Sequence, residues 1–368
     1  MKKVRHMFAG GNTGAGFYSF YHNLVALGTR RVFILKGGPG TGKSSFMKKL
    51  ATELLDAGHD VDMFFCSSDS QSLDGVAAAA LGLVLLDGTP PHQVDPRFPG
   101  AVEKIVNLAD CLNMEPLKRQ SAAVQDCAER NSGWFKRAYC YLRAAAAVAE
   151  DIAEIHGSLV EGDGLRDAAY FLEKKLFPPD VLPNRYKRKS SHFFAGAYTP
   201  QGFVDHTATL VEGCGKICYL AGRLGSGRSY IFKHLMDRAD LYGLAYEAFH
   251  MPLLPDKIGL LTFPELSLAI TSNDLYRDDH WHCLDLDQTV DLAKLESYKE
   301  DLSHCQRLLG DLIAQSVICL GEAKNVHDEL EAFYIPNMNF DGVRHHYNKV
   351  HEEVFSALLP AQKFQGSC

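Results

Sequence analysis

Gly37-Gly38-Pro39-Gly40-Thr41-Gly42-Lys43-Ser44 is the stretch whose reading decides the fold of this chain. Its glycines permit left-handed backbone angles and close approach, so successive amides can line one concavity suited to an anion. The β-branched and aromatic run Val32-Phe33-Ile34-Leu35 precedes it, and a helical pattern with Phe46, Leu50 and Leu54 on one face follows. The reading is therefore strand, tight turn, helix, with the helix over Ser44 to Ala57 and Gly58 placed to end it. A helix N-terminus at the turn adds partial positive charge.

The stretch satisfies G-x-x-x-x-G-K-[ST] in the strand-to-helix context that the pattern requires. Lys43 is expected to reach the β and γ phosphates of a nucleoside triphosphate, and the Ser44 hydroxyl to ligate Mg2+. Gly37, Gly38, Pro39, Gly40, Thr41, Gly42, Lys43, Ser44 and Ser45 are the candidate nucleotide-binding residues, and Lys43 is also a candidate catalytic group. A magnesium site needs a carboxylate at the end of an adjacent buried strand. Leu81-Gly82-Leu83-Val84-Leu85-Leu86-Asp87 provides one, which makes Asp87 the candidate catalytic and metal residue. Asp69, in Cys66-Ser67-Ser68-Asp69 after the strand Val61 to Cys66, competes for that role. His92 and Asp95 follow in a proline-rich loop, where a surface turn is the simpler reading than water positioning.

The chain is internally duplicated. Phe8-Ala9-Gly10 through Gly16-Phe17 lies without gaps on Phe194-Ala195-Gly196 through Gly202-Phe203, sharing F-A-G-x-x-T-x-x-G-F. Farther on, Gly164-Leu165-Arg166 to Phe177 matches Gly342-Val343-Arg344 to Phe355. The expected fold class is α/β: two tandem domains, 1–190 and 191–368, each with a parallel-sheet core and a helical appendage. The appendages are expected from about Glu115 to Phe177 and from Asp291 to Leu359, and a further strand at Ile105 to Leu108. Thr13 is expected to cap a helix containing Phe17 and Phe20.

The second copy of the glycine stretch, Gly222 to Ser229, keeps the spacing but carries Arg228 where the first has lysine. A forked guanidinium does not fit the compact ammonium position. The corresponding strand, Leu266 to Ser272, offers Thr271 in place of the carboxylate. Catalysis is expected in the first half, with the second kept for structure, regulation or sensing. Arg223 or Arg228 could still lean onto the first site as an arginine finger. Arg166 and Arg344 are weaker candidates for that role.

With 368 residues, 46% hydrophobic and 23% charged, the chain has the composition of a folded globular protein. A net charge of -7 gives no overall footprint for nucleic acid or anionic membrane. The basic run Arg185, Lys187, Arg188 and Lys189 reads as a linker. Ten cysteines without a CxxC pair read as reduced thiols, and the longest apolar run, Val76 to Leu86, is too short to span a membrane. A cytoplasmic location is the expectation, with no membrane partner and no protein partner specified.

On these motifs the chain resembles the P-loop NTPase superfamily, and its duplication with F-A-G-x-x-T-x-x-G-F is similar to a family of tandem P-loop bacterial proteins labelled ATPases. The resemblance implies an ATP-binding, magnesium-dependent ATPase or ATP-driven switch. No N-K-x-D segment to read guanine is present. A nucleotide or small-molecule kinase and a non-hydrolysing nucleotide-gated scaffold are the alternatives, because the fold alone does not choose between them.

Overall fold

The computed structural model describes residues 3–25, 29–90, 93–160, 162–177, 190–277 and 281–357. His92 and the basic run at 185–189 lie outside them. The first half runs β1 Val4–Met7, β2 Gly10–Thr13, β3 Gly16–Ser19, α1 Tyr21–Leu24, β4 Arg31–Lys36, α2 Lys43–Asp56, β5 Val61–Phe65, β6 Leu73–Ala78, β7 Leu83–Asp87, β8 Glu103–Asn107, α3 Met114–Arg119, α4 Ser121–Ser158 and α5 Gly162–Leu176. The second repeats that order: β9 Ser191–Phe194, β10 Gly196–Thr199, β11 Gly202–Asp205, α6 Thr207–Val211, β12 Lys216–Ala221, α7 Arg228–Tyr242, β13 Glu247–His250, β14 Ile258–Phe263, β15 Leu268–Thr271, β16 Trp281–Asp285, α8 Leu292–Glu296, α9 Lys299–Tyr334 and α10 Phe340–Ser356. The strand orders agree as well, β1-β5-β6-β7-β4-β8 and β9-β13-β14-β15-β12-β16. The chain is thus a tandem pair of similar α/β domains, as its internal repeat implies.

Each six-stranded sheet is mixed rather than purely parallel, because β6 and β14 run against both neighbours. The reason is local. The apolar run Val76 to Leu86 holds two strands joined by the 3-10 turn Ala79–Leu81 and by Gly82 at φ 59°, so one expected strand is the second arm of a hairpin. The F-A-G segments also differ from expectation, since Thr13 caps no helix. Its hydroxyl donates to the Gly16 carbonyl at 2.7 Å and accepts the Ala15 amide at 3.1 Å, closing the β2–β3 hairpin that contains Phe17. A threonine three residues before a glycine satisfies a hairpin turn as well as a helix cap.

The helical regions are exchanged between the halves. Val343, Tyr347, Val350 and Val354 of α10 are buried in the core of the first sheet, beside Phe46, Leu50 and Leu54 of α2. Ala169, Leu172 and Leu176 of α5 are buried in the core of the second, beside Ile231, Phe232 and Leu235 of α7. Polar contacts repeat the arrangement: the Tyr347 hydroxyl bonds the Glu53 carboxylate, while Glu173 accepts from Arg238 at 2.8 Å and Tyr242 at 2.8 Å. Three donors converging on Glu173, His234 among them, hold its carboxyl below the usual range even though burial opposes this. Between the domains α4 and α9 lie side by side and antiparallel, because Asn131 reaches the Ala323 carbonyl while Cys305 lies against Asp151.

An approximate two-fold axis passes between Phe8 and Phe194, equivalent residues that exchange backbone hydrogen bonds of 2.9 Å in both directions and are fully buried. Arg5 ties the domains together beside it, pairing with Asp62 at 2.7 Å in its own half and Glu247 at 2.6 Å in the other. Histidines crowd the same seam, with His192 Nδ1 and His250 Nε2 2.8 Å apart and His206 stacked on Phe8. No described helix is long and apolar enough to cross a membrane. Cys66, Cys111, Cys127, Cys140, Cys214, Cys305 and Cys319 are free thiols, whereas Cys218 is disulfide-bonded, which departs from the all-reduced expectation.

Two outcomes follow from this packing. Leu172 lies in the first half of the sequence but is fully buried in the second domain's core, so Leu172→Ala is expected to cost about 2–5 kcal/mol, read as a lower denaturant midpoint for that domain. Burial pushes the imidazoles of His206 and His250 down to about 4. The unfolded chain, with ordinary histidines near pH 6.5, then binds protons that the native state refuses. Stability should fall as pH drops from about 6.5 toward 4, and His206→Gln with His250→Gln should flatten that slope in denaturation series.

Candidate functional site

The first glycine loop leaves β4, which lies between β7 and the edge strand β8, and enters α2 through Gly42 at φ 88° and Gly40 at φ 65°. Thr41, 1% exposed, anchors the bend by donating its hydroxyl to the Gly38 carbonyl at 2.9 Å. Lys43 curls back over the loop, its Nζ 2.9 Å from both the Gly37 and Gly38 carbonyls and 3.6 Å from Asp87 Oδ2. The ammonium is therefore held at the mouth of the bend. Ser44 Oγ accepts the Leu73 amide at 3.0 Å, and a hydroxyl retains a second lone pair for another partner. Ser45 is exposed on the outer face of α2.

Parallel pairing of β4 with β7 brings Asp87 beside the loop, since Leu35 lies opposite Asp87. Asp87 is 8% exposed and accepts the Thr89 amide at 2.8 Å, which keeps its other oxygen turned to Lys43. Asp69 is placed differently: it closes its own turn onto Gln71 and Ser72 and lies 3.7 Å from Lys324 of α9. Asp95 is exposed and 3.7 Å from Lys36. Of the expected site residues, the fold thus brings Asp87 beside Lys43 and Ser44 at the start of α2, and no cluster of three or more His, Cys, Asp or Glu suited to a metal occurs among the described residues.

Asp74 was not legible as a site residue. It is 4% exposed in β6 and accepts the Tyr21 hydroxyl at 2.8 Å. Gly75 pairs with Leu86, which puts Asp74 next to Asp87 across the strands. Burial first, then the Asp74 charge, raises the Tyr21 hydroxyl far above its ordinary value. Tyr21 therefore stays protonated and donates to Asp74. Only the antiparallel β6, hidden in an apolar run, brings this carboxylate to the site.

Comparing registers shows how the second copy departs. Arg31 pairs with Leu83 and Lys216 with Leu268, so the counterpart of Asp87 is Ser272, one residue beyond the expected Thr271. By the same matching, Gly75 corresponds to Leu260 and Asp74 to Gly259. Lysine and both carboxylates are thus replaced together. Burial lowers the affinity of Arg228 for its proton. A cavity of about 330 Å³ opens at this second loop, lined by Arg228, Lys257, Glu150 and Glu154 among others.

Each loop is covered by a long helix from the opposite half. On the second, Gly225 packs on α4 so closely that a Cβ there would sit 2.1 Å from the Ala153 carbonyl oxygen, and His156 bonds the Leu224 carbonyl at 2.7 Å. On the first, the end of α9 supplies Tyr334 against Gly38, Ile335 against Gly40, and Glu331, whose carboxylate accepts the Gly40 amide at 3.1 Å. The two loops lie near opposite ends of the antiparallel α4–α9 pair, roughly 40 Å apart at 1.5 Å rise per residue, so neither Arg223 nor Arg228 reaches the first as a finger. Arg223 pairs with Asp287 and Arg344 with Asp341, both locally.

The family model described as Nephrocystin 3, N-terminal, matches residues 19–87, the segment from the end of β3 through β7 that contains the first loop and Asp87. No curated protein and no solved structure matches the chain.

Proposed function

We propose that the first domain binds ATP with Mg2+ on the Gly37–Ser44 loop and hydrolyses it or switches upon binding it, while the second domain is a structural or regulatory copy. The observation that carries this reading is the joint placement of a lysine ammonium, a helix N-terminus and a buried carboxylate at one glycine bend: Lys43 Nζ lies 3.6 Å from Asp87 at the start of α2. Such a bend surrounds phosphate oxygens with amides, and an ammonium at its mouth neutralises the terminal phosphates. Lys43 would exchange its two carbonyl contacts for phosphate oxygens. Ser44 and Asp87 would hold the magnesium ion, which supplies charge neutralisation across the β and γ phosphates. Asp74, beside Asp87, would raise the local negative charge and so the demand for a cation.

The loss of lysine and both carboxylates from the second copy supports confining chemistry to the first. Phosphoryl transfer to a small acceptor and nucleotide-gated scaffolding are the competing readings, and they differ in what is released.

The test is equilibrium binding and phosphate release with magnesium and ATP. Lys43→Ala is expected to weaken ATP binding by about tenfold or more, through loss of charge-assisted hydrogen bonds. Asp87→Asn should retain ATP while losing magnesium-dependent phosphate release. Product labelled from ATP only when an acceptor is added would identify a kinase, and tight binding without turnover a scaffold. ATP retained equally by wild type and Lys43→Ala would remove the basis of the proposal.

A further inference from the structure

We infer that Glu331, reaching across from the second half, is an anionic latch on the first glycine loop that a bound nucleotide must displace. This rests on the nucleotide reading of that loop. Glu331 Oε1 takes the Gly40 N–H at 3.1 Å, at the middle of the bend whose amides are the anion-binding groups. The same oxygen lies 3.5 Å from His327 Nε2, and a hydrogen bond from that imidazole, aided by the loop amide, keeps the Glu331 carboxyl below its ordinary value. The group is therefore an anion at neutral pH. A phosphate chain entering the bend meets a like charge and finds the Gly40 amide taken.

The contact is built into the packing. A Cβ placed on Gly40 would fall 2.6 Å from Ile335, and one on Gly38 would fall 2.9 Å from the Tyr334 ring, so the end of α9 fits the loop only because both residues are glycine. The second loop provides an internal control. Matching Gly342 with Gly164, as the repeat dictates, places Ala153 at the position of Glu331 and His156 at that of Tyr334. Those two residues cover the second loop in the same manner, but there a neutral methyl side chain stands where the first has a carboxylate. At that position the anion occurs on the loop that keeps its lysine, whereas the carboxylates near the second loop, Glu150 and Glu154, line its cavity from other positions of α4.

The experiment measures binding of magnesium-ATP to the full chain as wild type, Glu331→Gln and Glu331→Ala, each with and without Lys43→Ala, alongside amide exchange over residues 327–337. Glutamine removes the charge and keeps the acceptor, so it guards against a packing defect. Affinity is expected to rise about tenfold for Glu331→Ala and by less for Glu331→Gln, the size of one charge-assisted hydrogen bond. ATP should speed exchange at the end of α9 in wild type, and Glu331→Ala should exchange fast already without it. Unchanged or weaker binding in both variants, with Lys43-dependent binding intact in wild type, sinks the latch alone. Lost turnover at unchanged affinity likewise overturns it, by giving Glu331 a role in the chemistry. Absence of ATP binding in every form defeats the nucleotide reading and the latch with it.

Discussion

Each sheet of this protein has an apolar face that its own half does not finish covering. The missing cover is the last helix of the opposite half, α10 for the first sheet and α5 for the second, and these helices bury residues at or near zero exposure. Hydrophobic burial is the dominant favourable contribution to folding, so neither core is complete until the other half of the chain is present. The long helices α4 and α9 exist to make that exchange possible. Each must carry its chain from one domain to the other, and their mutual packing buries Cys127, Leu142, Cys319 and Leu320 along the way.

The same exchange determines what surrounds the two glycine loops. A helix crossing to the opposite domain arrives at the helix-bearing face of that sheet, where the loop sits. Two-fold symmetry makes the arrival equivalent in both domains, but the side chains delivered are not: alanine and histidine on one loop, glutamate and tyrosine on the other. Divergence of the copies has therefore worked on both sides of each contact. The second loop lost lysine and its neighbouring carboxylates, and the helix covering the first carries an acid.

Local chemistry was legible from residue order. The strand, turn and helix around Gly37–Ser44 follow from glycine spacing and apolar periodicity, and Gly58 ends α2 with φ 92° as its position suggests. The duplicated halves were visible because identical patterns recur without gaps. Less legible was β6, since an uninterrupted apolar run carries no period that distinguishes one strand from a hairpin. Thr13 was misread because its hydroxyl suits two turns equally, and Asp74 passed unnoticed because its neighbours in space lie on strands paired in an unexpected direction.

By itself the sequence determined the secondary elements flanking the first loop, the repeat, the α/β class and which copy keeps the lysine. These depend on contacts within a turn or two, or on comparing one stretch with another. Tertiary structure alone decided which helix covers which sheet, that Asp87 and not Asp69 stands beside Lys43, and that Glu331 reaches Gly40. The physical reason lies in the duplication: α5 and α10 have matching apolar faces, so either could cover either sheet on pattern alone. Only the length and direction of α4 and α9, fixed by packing between residues far apart in the chain, select the exchanged arrangement.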